Sequence, residues 1–389
     1  MTFGAPDGSA GRGPRVRYGM IGAGLALAGC AEESGNFSQH PGFAAWYARN
    51  PPAEAAPPAA DRALLVRFQP RFFLPEGHAG PIDFYADYIG AGTLYDPAGE
   101  VIADAVTPEL LNRHEHRPLV TFVHRPEAAP ARPTPVVYGR IDRDELELPG
   151  CARAIPITFL TYHLVFRVSG LPAGMSGWAE AALGLIGDLE DWHQLDHYTA
   201  LTLALADGDP RSAPFAATFQ HHNYLRTWLL DEAAAPGTLV LPADGRLRVD
   251  VAIRSNELYP HRPGRSERRA VRFLEPESAA YLVTGDDQPF AAADDITDPA
   301  VEIDPALRFL APADAFYVFE GWLGERRLLP GRDGPPGADY NTLPAFKPKP
   351  VQLALFYWQE DDADYLPMLA EAFADGRPDE IELAPFAAR

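Results

Sequence analysis

Apolar and polar positions alternate in short stretches, and Pro, Gly or Asp separates most of them. That pattern predicts strands over Ala63–Phe68, Thr93–Tyr95, Leu119–Val123, Pro135–Ile141, Ile157–Val168, Trp192–Ala206, Phe215–His222 and Leu247–Ile253. Phe316–Phe319 and Val351–Trp358 also read as extended. Helical signal is sparse. The Ala/Leu-rich piece Trp178–Ile186 predicts a short helix, and Asp364–Ala374 predicts another that stops at Gly376. From Ala31 to about Asp61 the chain is rich in Pro and Ala, notably Asn50-Pro-Pro-Ala-Glu-Ala-Ala-Pro-Pro-Ala-Ala, as expected of a semi-stiff tether.

Composition sharpens this mainly β reading. The chain has 389 residues and 40 prolines, and a density of proline about twice the average is incompatible with long helical bundles. The length allows about two domains, or one large all-β domain with elaborations. With 33 basic and 54 acidic side chains the charge is −21, which disfavours nucleic acid or an anionic membrane surface as a partner. Asp286–Asp304 carries seven acidic residues among Pro, Ala and Thr and reads as a solvated loop. All eleven histidines lie between His40 and His261, so any imidazole chemistry comes from the middle of the chain.

The first residues read as an address. Arg12, Arg15 and Arg17 precede the uncharged run Tyr18–Gly29, which is too short to span a bilayer as a helix and ends in Leu27-Ala28-Gly29-Cys30. This resembles the lipobox of bacterial lipoproteins. The resemblance implies cleavage before Cys30 and lipidation of its thiol. It also implies that Ala31, in place of a retaining aspartate, directs the chain to the outer membrane, facing either the periplasm or the cell surface. Loss of Asp7, Arg12, Arg15 and Arg17 leaves 30 basic and 53 acidic side chains, a charge of −23. The membrane link is then a lipid, made firm by the triple acylation that the resemblance implies. Cys151, the only other thiol, has no partner for an internal disulfide and reads as a small buried hydrophobe.

No G-x-S-x-G elbow, P-loop, H-E-x-x-H helix or paired-cysteine knuckle occurs, and no nucleotide cofactor is expected. The densest polar block is Gly187-Asp-Leu-Glu-Asp-Trp-His-Gln-Leu-Asp-His-Tyr-Thr-Ala200. Read as a strand, it places Asp191, His193, Leu195 and His197 on one face and Trp192, Gln194, Asp196 and Tyr198 on the other. Neither face is apolar. Asp188, Asp191 and His193 offer hard oxygens and an imidazole within six residues, a set that suits one divalent cation, Ca, Mg, Mn or Zn. The same groups suit general acid–base work, with His221 or Glu190 as the base, or a network of buried side chains that satisfy one another. Two further clusters follow strands: Gln220-His221-His222-Asn223, and Arg254-Ser255-Asn256-Glu257-Leu258-Tyr259-Pro260-His261. His197, His222, Ser255 and Asn256 are the candidate binding residues.

The order of Phe159-Leu-Thr-Tyr-His-Leu-Val-Phe166, Gly187-Asp-Leu-Glu-Asp-Trp-His193, Gln220-His221-His222 and Ser255-Asn256-Glu257-Leu258-Tyr259 resembles two related patterns. One belongs to the bacterial and fungal vacuolar-sorting-associated domain family, whose opening Phe68-Gln-Pro-Arg-Phe-Phe-Leu-Pro75 and Pro81-Ile-Asp-Phe84 are also similar to. The other belongs to the necrosis-inducing proteins, whose heptapeptide Gly-His-Arg-His-Asp-Trp-Glu carries metal ligands. In register with it Gly187, Asp191 and Trp192 match, while Asp188, Glu190 and His193 replace the two His and the Glu. The resemblance covers Ala63 to Pro263 and implies an antiparallel, jelly-roll-like β-sandwich with a few short helices and long Pro-rich loops.

The expected organisation is therefore a signal peptide over 1–29, a tether over 30–62, a sandwich body over 63–275, and a C-terminal elaboration over 276–389 packed on the same body. The expected function is an outer-membrane-anchored binding module, cation-assisted, for a glycan, lipid headgroup or envelope protein. The alternatives are a metal-dependent hydrolase and a structural or assembly lipoprotein without a metal.

Overall fold

A computed structural model describes residues 57–114, 117, 119–130, 133–146, 155–171, 177–197, 199–206, 213–221, 224–231, 238–261, 300–311, 314–327, 332, 334 and 335, together with Ala48. The lipobox with Cys30, Cys151, Tyr198, His222, the acidic stretch up to Pro299, and the elements expected at Val351–Trp358 and Asp364–Ala374 lie outside them. Among the described residues the chain is mainly β, with several mixed sheets, a few short helices and no closed barrel.

Chain order begins with helix α1 (Ala59–Arg67), β1 (Arg71–Pro75), β2 (Gly92–Tyr95) and β3 (Val101–Ala103), then α2 (Pro108–Arg113) and β4 (Thr121–His124). The centre holds β5 (Val136–Leu146), β6 (Ile155–Leu164), β7 (Phe166–Ser169), α3 (Gly177–Gly184), β8 (His193–Asp196), β9 (Ala200–Ala206), β10 (Ala216–His221) and β11 (Tyr224–Asp231). Then come β12 (Thr238–Val240), β13 (Arg248–Val251), β14 (Leu258–Pro260), β15 (Ala300–Ile303), β16 (Ala306–Phe309), α4 (Ala315–Val318) and β17 (Trp322–Leu323). Strand β15 pairs with β1, and β16 with β5, so the chain beyond residue 275 contributes to both large sheets.

Two sequence expectations change type. Ala63–Phe68 is the end of helix α1, not a strand, because Ala59-Ala-Asp-Arg-Ala-Leu-Leu is made of strong helix formers and the Leu-Leu-Val run does not discriminate by period. Phe316–Phe319 falls mostly in α4, where the Asp314 carboxylate caps the Phe316 N–H. The three larger sheets are also mixed rather than antiparallel: β1–β13, β4–β17, β5–β16 and β11–β12 all run parallel. In the first three pairs the strands are far apart in sequence, so no hairpin fixes their relative direction.

The seven-stranded sheet, ordered β12-β11-β10-β9-β6-β5-β16, has two unlike faces. On one, Leu160, Tyr162, Leu201, Leu203, Ala217 and Phe219 pack against Phe72 of β1, Val249 and Val251 of β13, Leu258 of β14, and Leu65 and Phe68. β1, β13 and β14 belong to a four-stranded sheet ordered β14-β13-β1-β15. Burial of this apolar surface is the dominant favourable term for the body. On the other face Val136 and Tyr138 join Phe84, Tyr88, Phe122, Phe316 and Leu323 in a second core, beside the sheet β17-β4-β2-β3. Next to that core the second face turns polar. Register sets Arg140, Thr161, Thr202 and Thr218 side by side across β5, β6, β9 and β10.

Candidate functional site

The polar block 187–197 folds back along the end of β7. Ser169 pairs with His193 and Phe166 with Asp196, and the Leu171 N–H donates to the Leu189 carbonyl. The 254–257 turn arrives on the same edge, where the Gly170 N–H donates to the Arg254 carbonyl at 2.9 Å. Gly170 is required at this crossing. A Cβ there would stand 2.9 Å from the carbonyl oxygens of both Arg254 and Leu189.

The regular alternation expected of the block breaks at Leu195, which has φ 61. Strand β8 covers only His193–Asp196, and Leu195 enters the second core while Trp192, His193, Asp196 and His197 are all buried. Left-handed backbone at a bulky residue is strained. Asn256, with φ 58, is the second such residue, and among the described residues these two are the non-glycine positions with positive φ.

Those two residues flank one network. The Asp196 carboxylate, 1% exposed, accepts from the Thr199 hydroxyl at 2.8 Å, from the Thr199 N–H at 3.3 Å, and from Asn256 Nδ2 at 3.0 Å. Asn256 Nδ2 also donates to the Val168 carbonyl at 3.0 Å. Ser255 and Glu257 are buried beside it. The Glu257 N–H faces the Ser255 hydroxyl at 3.4 Å, and the Tyr259 hydroxyl donates to the Glu257 carboxylate. Sequence reasoning picked Ser255 and Asn256 but missed Asp196 and Thr199, the residues that join the two clusters.

The expected ligand set is distributed over separate partners. Asp188 is exposed and accepts the Glu190 N–H at 2.9 Å, a local turn. Asp191 receives Arg327 Nη2 on both carboxylate oxygens at 3.1 Å, while Nη1 of the same arginine donates to the Asp191 and Trp192 carbonyls. Arg332 covers the Trp192 ring, its guanidinium carbon 5.1 Å from the centroid, and donates to the Ile186, Asp191 and Trp192 carbonyls. Burial lowers the Arg332 pKa, and the neighbouring Arg327 charge lowers it further against the pull of Asp191 and Asp188. The His193 Nδ1 lies 3.1 Å from the Gln194 carbonyl. Among the described residues no group of three His, Cys, Asp or Glu side chains is placed to hold a metal ion. Glu190 faces Arg254 at 3.6 Å. His221 is the last residue of β10, in register with Tyr224, and His222 lies outside the described residues.

A further pair emerges on the outer face of the four-stranded sheet. His261 Nδ1 lies 2.7 Å from the Asp250 carboxylate, and the imidazole stacks on Phe73 with centroids 3.8 Å apart and planes 8° apart. Asp250 as acceptor fixes the proton on Nδ1, which leaves Nε2 as the basic nitrogen. His261 closes the third polar cluster in the sequence, but its partner Asp250 sits inside a strand and gave no signal there.

No family model matches the chain, and no curated protein matches it. The solved structure of Necrosis and Ethylene inducing Protein 2 from the causal agent of cocoa's Witches Broom disease is loosely similar, with a TM-score of 0.27 and 13% identity, covering 60% of this chain and 82% of that one.

Proposed function

We propose that the chain is an exported lipoprotein, attached through a lipid on Cys30 to the outer membrane, and that its jelly-roll-like body binds an envelope or extracellular ligand without catalysing a reaction. The address rests on Arg12, Arg15, Arg17, the run Tyr18–Gly29 and Leu27-Ala28-Gly29-Cys30. The binding reading rests on one observation: Leu195, strained at φ 61, stands directly before Asp196, whose carboxylate bonds Asn256. Strain of this kind persists where surrounding structure over-determines it, and it clusters at ligand sites. In the same two segments the pairs Glu190–Arg254 and Asp191–Arg327 make a rim of both signs. Such a rim suits a neutral or zwitterionic polar partner, a glycan or a lipid headgroup, better than a strongly charged one. Asp191 already serves Arg327, so a cation would have to displace that arginine. Direct contact is the simpler mode.

The test has two arms. In a Gram-negative host supplied with alkyne-palmitate, the full chain is expected to take the label and sediment with membranes, and Cys30→Ser is expected to do neither. An unlabelled parent would overturn the address. In the second arm, full chain that binds immobilised glycans or outer-membrane lipid vesicles should lose that retention on Arg327→Ala. Retention on neither surface would overturn the binding reading.

A hydrolase is the second reading, and the Asp250–His261 pair favours it. An imidazole oriented by a carboxylate is a general base that needs no metal. Turnover of a chromogenic ester that His261→Ala abolishes would put this reading first.

A further inference from the structure

The second face of the seven-stranded sheet holds polar groups that the rim does not use. His163 of β6 is 2% exposed, and among the described residues neither of its ring nitrogens has a hydrogen-bond partner. Its ring meets Phe316 and Tyr317 edge-on, each at 5.4 Å. A buried imidazole with both nitrogens unanswered is costly, and a group of this kind asks for an explanation. Burial pushes its pKa well down, and the Arg140 and His197 charges act in the same direction.

Arg140 stands diagonally across from it, because Tyr138 pairs with His163 and Arg140 with Thr161. The guanidinium is also 2% exposed. Its Nε and Nη2 donate to one Asp142 oxygen at 3.0 and 2.5 Å, and its carbon lies 4.4 Å over the Tyr317 ring. Neither of those hydrogen bonds uses Nη1. Thr161 and Thr202 continue the row, their hydroxyls 3.1 Å apart. Both threonines and Asp142 are only half-buried, which marks the side on which this patch meets the exterior.

The geometry points to a binding site for a monocarboxylate at Arg140 and His163, entered past Thr161 and Thr202, with one proton taken from solvent onto His163 as the anion binds. The charge balance selects the ligand class. Asp142 already neutralises Arg140, so a monoanion and one proton leave the site neutral, whereas a phosphate dianion would leave a buried charge uncompensated. The groups that face His163 are Arg140 from β5, His197 from the stretch after β8 and Tyr317 from α4, with Asp142 beyond Arg140 and Tyr317. Of these, Arg140 attracts the anion and opposes protonation in its absence. This site is separate from the rim and does not depend on it.

The test is titration of the full chain, with 15N-labelled histidine, using sodium acetate and sodium benzoate at constant ionic strength, with phosphate as a parallel arm. The expected result is that the His163 resonances, assigned by their loss in His163→Gln, move from neutral imidazole to imidazolium. Calorimetry in two buffers should show uptake of about one proton, and affinity should tighten about tenfold per unit fall in pH while the free imidazole is neutral. Thr161→Val with Thr202→Val keeps Arg140 and Asp142 and should weaken binding about tenfold. Arg140→Gln should abolish it where the variant folds. His163 signals unmoved by either carboxylate would overturn the proposal, as would equal affinity in the threonine variant, or protonation driven by phosphate and not by carboxylate.

Discussion

Two buried polar regions of this molecule contrast sharply. Around Asp196, Thr199 and Asn256 the inward-facing acceptor is answered by three donors. Around Arg140 and His163 the imidazole is answered by none among the described residues. The first lies in the densest polar stretch of the sequence; the second is a single histidine inside the apolar strand Ile155–Leu164. The two regions therefore differ in what they still lack: the Asp196 carboxylate is answered from within the chain, and the His163 ring is not. Buried groups that satisfy one another rigidify a structure, while an unsatisfied one costs stability until a partner arrives.

The largest expected effect breaks the satisfied side. Asp196→Ala leaves the Asn256 amide and the Thr199 donors facing an apolar site, and should cost about 3 kcal/mol in chemical unfolding. Asn256→Ala comes next. It removes the amide's bonds to the Asp196 carboxylate and the Val168 carbonyl and leaves at φ 58 an alanine, which tolerates that region less well than asparagine, so it should cost about 2 kcal/mol, and Asn256→Gly, which is at ease there, should be less damaging by about 1 kcal/mol. Comparable midpoints for the Ala and Gly variants would show that the backbone at 256 is not strained.

The unsatisfied side should respond in the opposite sense. His163→Leu removes two unanswered polar atoms and should leave stability at pH 7 within about 1 kcal/mol of the parent, or raise it. It should also flatten the acid limb. An unfolded imidazole takes its proton near pH 6.5, while burial holds His163 neutral to much lower pH. Below about 6.5 the unfolded chain thus binds more protons, and stability, fully present above that value, falls as pH falls toward the folded pKa. His124, lowered mainly by burial, acts the same way, so the slope should shrink in His163→Leu without vanishing. The smallest effect is expected at the rim. Asp191→Ala breaks a pair whose carboxylate is 43% exposed, and should change stability by less than about 1 kcal/mol.

Much of the scaffold was legible. Ile157–Val168 and Trp192–Ala206 each overlap two of the observed strands, because β-branched and aromatic residues there fit a half-buried pleat. Helix α1 was misread since Leu64-Leu65-Val66 suits either geometry, and neighbouring alanines decided it. The site was legible only in part. Its clusters were visible as composition, and Asn256 does meet the 187–197 block. The partners of Asp191 were not visible, because Arg327 lies 136 residues away in sequence and Arg332 farther still. Nor does any local pattern announce that Leu195 turns left-handed and redirects the side chains after it. His163 passed as one polar residue in a strand, since the lack of partners is a property of packing and not of sequence.

The contrast between the two regions is tested most directly by a crystal structure of the full chain grown with a monocarboxylate. The expected result is an ordered anion between the Arg140 guanidinium and the His163 ring, in contact with the Thr161 or Thr202 hydroxyl, and an unchanged Asp196 network. A structure in which His163 has turned to bond a protein group, with no anion beside Arg140, would contradict it.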